Sequence, residues 1–104
     1  MLAENLLPFW NNKAERCGYI TLDNGFFELE NIHETPREGF EIAAIPKEAV
    51  ALWHTHPSGC PNLSVEDFHL FKSLPHLLHI IVGQTELAYY FVDTDGTLLR
   101  RNDE

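Results

Sequence analysis

Cysteine is scarce: the 104 residues contain two, Cys17 and Cys60, and these form no C-x-x-C pair. That excludes a dithiol redox motif and a cysteine-rich zinc knuckle, and two thiols so far apart in sequence are expected to be free in a reducing compartment. Basic residues are few as well, seven Lys and Arg against sixteen Asp and Glu, for a net charge of -9. A nucleic-acid backbone would meet repulsion rather than counter-charge, so DNA and RNA are excluded as partners. No apolar run approaches the roughly 18–20 residues that cross a bilayer, which excludes a spanning helix. The apolar start, Met1 to Trp10, carries Glu4 and has neither a basic flank nor a small-residue cleavage pattern, so it is not a secretory signal. A soluble protein that stays in the cytoplasm is expected.

What is present suits one packed domain. Hydrophobic residues make up 44% and aromatics 12%, enough for a single core at this length. Leu2, Leu6, Leu7, Phe9 and Trp10 form a rough helical stripe broken by Pro8, predicting a short N-terminal helix. Cys17–Leu22 and Phe26–Ile32 are β-rich and flank Asp23-Asn24-Gly25, a hairpin signal. After a loop over 31–39 containing Pro36 and Gly39, residues Phe40, Ile42 and Ile45 predict a short extended piece, and Ala49 to Trp53 a strand buried on both faces. Ser64 is a suitable N-cap for a helix whose Val65, Phe68, Leu70 and Phe71 are expected to face the core. Two strands, Leu77–Val82 and Leu87–Val92, then lead through Asp93-Thr94-Asp95-Gly96 to a last strand over 97–100 and an acidic tail. The expected architecture is α/β: a mixed sheet of about six strands flanked by helices, in one domain over residues 1–104.

Chemistry concentrates in one stretch. On a strand, residues i and i+2 share a face, so His54 and His56 can reach one ion from a strand end that Pro57 stops. The loop from Ser58 to Leu63 is long enough to bring the next helix back, so Asp67 can become a third ligand. Two imidazole nitrogens and one carboxylate suit Zn2+, one per chain, and leave a fourth tetrahedral position for water. Ser64, one turn before Asp67, can cap the helix and also donate to the oxyanion of a tetrahedral intermediate. Amide hydrolysis would still need a general base.

These residues resemble the JAMM motif of the MPN+ (JAB domain) metalloprotease family, H-x-H-P, six residues, S-x-x-D, and every fixed position matches. The family places its general base upstream as E-x-x-G, which Glu15-Arg16-Cys17-Gly18 fits. The resemblance therefore implies an MPN-type fold, with His54, His56 and Asp67 as zinc ligands, Ser64 steadying the oxyanion and Glu15 taking and returning the proton. Glu15-Arg16-Cys17-Gly18-Tyr19-Ile20, Asn31-Ile32 with Pro36, Phe40-Glu41-Ile42 and Leu74-Pro75 are similar to the branch found in phage tail assembly proteins of the lambda K type. Those proteins usually add an NlpC-type cysteine peptidase domain, for which this sequence has no counterpart. A RadC-type layout shares His-Thr-His-Pro-Ser-Gly but adds a helical N-terminal region, and the insertions that grip ubiquitin in deubiquitinating relatives have no room here.

The implied function is a zinc-dependent metallopeptidase acting on a peptide or isopeptide bond. Its partner would be a protein or peptide substrate, with phage tail components as candidates and virion association following if the gene is phage-encoded. The competing function is a non-catalytic tail-assembly domain that keeps a structural metal site. His33, His69, His76 and His79 are read as structural or surface residues, Cys60 as a thiol outside the ligand set, and Trp53 and Phe68 as core.

Overall fold

The computed structural model describes residues 3–101; Leu2 of the N-terminal stripe and the acidic tail at 102–104 lie outside the described residues. A six-stranded mixed sheet forms the frame, with β1 (Cys17–Thr21), β2 (Phe26–Leu29), β3 (Ala49–Thr55), β4 (Leu78–Val82), β5 (Leu87–Val92) and β6 (Leu98–Arg101). Their spatial order is β2-β1-β3-β4-β5-β6. Every neighbouring pair is antiparallel except β3 and β4, which run parallel. Parallel neighbours cannot be joined by a tight turn, and the connection between these two carries the α-helix, α1 (Val65–Ser73). The other helix is a 3-10 segment, Ala3–Phe9, where Pro8 lacks the N–H that a longer α-helix would use.

Alternation along β3 sorts the core into two layers. Trp53 points to one face with Ile20, Ala51, Ile80, Val82 and Tyr89, which Ala3 and Leu6 of the 3-10 segment cover. On the other face Phe71 of α1 packs with Ile81, Ala88 and Tyr90. His54 lies next to Trp53 in sequence and so projects to the α1 side, where its ring meets Phe71 edge-on at 6.1 Å between centroids. His79 is fully buried on the same side, stacked on Phe71 at 4.2 Å.

The hairpin expected around Asp23-Asn24-Gly25 forms, with Asn24 in the left-handed region at φ 67. Three expectations need correction. Phe40, Ile42 and Ile45 form no strand, because Asn31 takes up the Gly39 carbonyl and the Glu41 amide and Phe40 turns inward onto His54. The first two strands end sooner than expected, at Thr21 and Leu29, and Leu22 is exposed in the turn. Val65 and Phe68 are exposed on α1, which rests on the sheet through Phe71 and Leu70 instead.

Candidate metal centre

The site lies at the carboxyl ends of the two parallel strands. β3 delivers His54 within its last residues, and His56 follows just past its end, its amide still donating to the Val82 carbonyl at 3.0 Å. Two further bonds hold this exit in place. The Trp10 indole donates to the His56 carbonyl at 2.7 Å, and the Gly59 amide reaches the same oxygen at 2.9 Å, with Gly59 in the left-handed region at φ 87. The sequence singles out Trp10 only as an apolar stripe residue; its polar tip is the part that matters here.

α1 supplies the carboxylate. Ser64 is its N-cap, its hydroxyl oxygen accepting from the Asp67 amide at 3.1 Å, while Asp67 accepts from the Ser64 amide at 3.4 Å. This capping box satisfies two end donors of the helix and fixes the Asp67 side chain. Its two oxygens face the histidines, Oδ1 at 3.1 Å from His54 Nε2 and Oδ2 at 2.9 Å from His56 Nε2. The two Nε2 atoms are 3.1 Å apart.

Proton placement in this cluster is constrained by one neighbour. His56 Nδ1 lies 3.0 Å from the Cys60 carbonyl, which only accepts, so Nδ1 carries the hydrogen. In the neutral ring Nε2 is then a lone pair aimed at a carboxylate and at a second imidazole. Such a convergence of lone pairs calls for a cation, either added protons or a metal ion, and imidazole fixed through Nδ1 to a carbonyl is the usual support of a metal-binding histidine. Phe40 stacks on His54 with centroids 4.4 Å apart and holds that ring against rotation.

Glu15 completes the cluster from the residues just before β1. It, His54 and His56 each offer a ligand atom, and these atoms lie within 4.8 Å of one another, a group that could hold a metal ion. Its route there depends on pairing: Cys17 is opposite His54, and beyond it the Arg16 amide donates to Thr55 Oγ1 at 2.9 Å while Thr55 donates back to the Arg16 carbonyl at 2.8 Å. The histidine pair is thus flanked by two carboxylates of different character. Asp67 touches both rings, whereas among the described residues no hydrogen bond reaches the Glu15 carboxylate.

Electrostatics separate the two carboxylates further. Burial opposes ionisation of Asp67, but bonds and charge from His54 and His56 overcome it and hold the group well below the usual carboxylate range. Burial pushes Glu15 up to about 7; His56 pulls it down, and Asp67 and Glu66 add to the rise. His54, fully enclosed, is depressed by burial despite Asp67. For His56 burial works downward too, yet Asp67, the Cys60 carbonyl and Glu15 together raise it.

A cleft of about 720 Å³ adjoins these groups, lined by Glu15, His56, Ser64, Glu66 and Asp67 and by His33, Arg37 and Phe40 of the 31–41 loop. The structure therefore brings together Glu15, His54, His56, Ser64 and Asp67. Cys60 is exposed and free, contributing its carbonyl rather than its sulfur, and Cys17 is a buried free thiol. His69 and His76 are exposed, Trp53 is core, and Phe68 is not. His33 lines the cleft, a position that spacing along the chain could not signal.

No helix among the described residues is long and apolar enough to cross a membrane. Neither a scan against protein-family models nor a search of curated proteins returns a match to this chain.

Proposed function

We propose that this domain is a JAMM/MPN+ (JAB-type) zinc metallopeptidase that hydrolyses a peptide or isopeptide bond, of the kind used in prokaryotic or phage tail assembly. One observation carries this proposal: two imidazole Nε2 atoms 3.1 Å apart share the Asp67 carboxylate, with Glu15 alongside them, and Glu15, His56 and Asp67 line an open cleft. The donor chemistry fits zinc, being two nitrogens and one or two carboxylate oxygens with the His56 tautomer already set. When bound, zinc supplies a Lewis acid that polarises the scissile carbonyl and brings a water pKa towards about 7.

The chain's own groups divide the remaining work. Asp67 and the histidines hold the cation, Asp67 through its cap-fixed carboxylate and His56 through the Cys60 carbonyl. Glu15 takes a proton from the attacking water and returns it to the leaving amine, its carboxylate lying beside the histidine pair with no hydrogen bond of its own among the described residues. The Ser64 oxygen is used as an acceptor by the Asp67 amide, which leaves its hydroxyl hydrogen free to donate to an oxyanion formed in the cleft.

The test is elemental analysis and calorimetry on the purified chain followed by a cleavage screen with peptides, isopeptides and tail proteins. Close to one zinc per chain is expected. Glu15→Gln should keep the metal and lower cleavage by about 10²- to 10⁴-fold, the usual contribution of a general base. A chain that binds no zinc when it is added overturns the proposal, as does a Glu15→Gln variant that cleaves at the wild-type rate.

A further inference from the structure

The hydrogen bonds of one half-buried amide, Asn31, are not used by the chemistry described above. Its Nδ2 donates to the Glu15 carbonyl at 2.8 Å and to the Gly39 carbonyl at 3.1 Å. Its Oδ1 accepts from the amides of His33 and Glu41, both at 3.0 Å. Four bonds saturate the ordinary capacity of a carboxamide, and their partners lie at both ends of the 31–41 segment and on the chain just ahead of β1. Next to it the Ile32 amide donates to the Glu41 carbonyl at 2.9 Å, so the 31–41 segment closes on itself at a neck, and Asn31 is the pin.

The neck also grips the residue before β1. Glu15 donates its own amide to the Pro36 carbonyl at 2.7 Å, within the loop that Asn31 closes, and offers its carbonyl to Asn31. Both backbone groups of Glu15 are therefore committed to this loop. Its carboxylate has no hydrogen bond among the described residues, so the hydrogen bonds that anchor Glu15 are those of its backbone.

We propose that Asn31 is a positioning residue for Glu15: its carboxamide ties the loop neck to the Glu15 backbone and so keeps the carboxylate beside His54 and His56. This role presupposes Glu15 as the proton-transfer group proposed above. The loop so pinned is also the one that presents Phe40 to His54 and walls the cleft, so loop closure and base placement are one event.

Asn31→Asp separates the two halves of the clasp, since a carboxylate can still accept from His33 and Glu41 but cannot donate to Glu15 and Gly39. Four measurements on the Asn31→Asp variant decide the matter. Amide exchange should stay slow at His33 and Glu41 and quicken at least about tenfold at Glu15. Zinc affinity should stay within about threefold, because Asn31 touches none of the ligand side chains. A crystal structure should show the Glu15 carboxylate displaced beyond 4.8 Å from the imidazole nitrogens it now approaches. On whichever peptide the wild type cleaves, kcat should fall about tenfold or more with KM within twofold, and Asn31→Asp added to Glu15→Gln should cost nothing further.

If Asn31→Asp leaves Glu15 in place with its amide protected, the proposal is overturned. A loss in kcat that persists undiminished in the Glu15→Gln background overturns it too, by assigning Asn31 a general structural role. Should the wild type cleave nothing, hydrolysis is the reading that fails, and the exchange and crystallographic results still decide whether Asn31 positions Glu15.

Discussion

At the scale of single residues, the two carboxylates beside the histidine pair differ because their surroundings differ. Asp67 is held by a helix cap and by two imidazoles, whereas the half-buried Glu15 has hydrogen bonds at its backbone but none at its carboxylate among the described residues. Asp67→Asn is a clean probe, because an asparagine oxygen can still take part in the cap while the negative charge is lost. Removing partners of metal-binding residues typically costs about 10- to 100-fold in affinity, so loss of a ligand charge should cost at least about 100-fold, read by zinc calorimetry with helix content unchanged by circular dichroism. Glu15 must be ionised to accept a proton, and its carboxyl sits at about 7 in the metal-free protein. A bound cation can only pull that value down. The pH profile of kcat should therefore show an acid limb centred at or below about pH 7, with activity lost on the acid side. A limb well above pH 7 would exclude Glu15 as the base.

At the scale of elements, the strand pair β1–β3 is what makes the site possible, and Gly18, opposite Trp53, leaves no room for a side chain. A Cβ there would lie 2.0 Å from the Phe27 carbonyl and 2.6 Å from the Trp53 indole. The glycine of the E-x-x-G pattern thus has a packing reason: it lets Trp53 lie across β1 while the register sets Cys17 opposite His54. Gly18→Ala should destabilise the fold by at least about 1–3 kcal/mol in urea unfolding, as overpacking of a close-packed core does. Because β1 also leads back to Glu15, metal binding and any cleavage should weaken with it. The helix end of the site was legible in the sequence, since Ser-x-x-Asp at the start of an apolar pattern specifies cap and carboxylate together. The 40–45 segment was not: apolar residues alternating over so short a run look like a strand, and what decides otherwise is Asn31 capturing the backbone groups of Gly39 and Glu41.

At the scale of the whole molecule, His79 and Glu15 should add two opposed slopes to the pH dependence of stability in metal-free protein. His79 donates Nε2–H to the Leu74 carbonyl, and its buried Nδ1 has no partner among the described residues. Burial lowers its pKa to about 4, aided by repulsion from His54 and His76 and opposed by the Leu74 carbonyl and Asp67. A depressed folded value means that its contribution is full above the ordinary histidine range near 6.5 and is lost as pH falls through about 4. Glu15 acts the other way: its raised value makes a contribution that is full below 4.5 and is lost as pH rises through about 7. Urea unfolding from pH 4 to 8 in the presence of a chelator should show His79→Phe flattening the acid side and Glu15→Gln flattening the neutral side. Equal slopes in wild type and His79→Phe would exclude the buried imidazole as the source. Zinc at a hundredfold excess over its Kd should add about 2.7 kcal/mol, seen as a higher Tm that depends on metal concentration.

The sequence by itself determined the local pieces: the apolar runs that become β3, β4 and β5, the Asn24 turn, the Ser64 cap, and the i, i+2 histidines with an aspartate one loop and one helical turn away. Each of these depends on neighbours in the chain, through strand alternation, turn conformation and helix-end hydrogen bonding, and so is written in short windows. Only the tertiary structure decided what crosses between windows. Strand pairing brings Glu15 across nearly forty residues to His54, the Trp10 indole holds the His56 carbonyl, Phe40 stacks on His54, and Asn31 ties a loop to the chain ahead of β1. Such contacts are fixed by register and by the close packing of distant segments, which no spacing along the chain encodes.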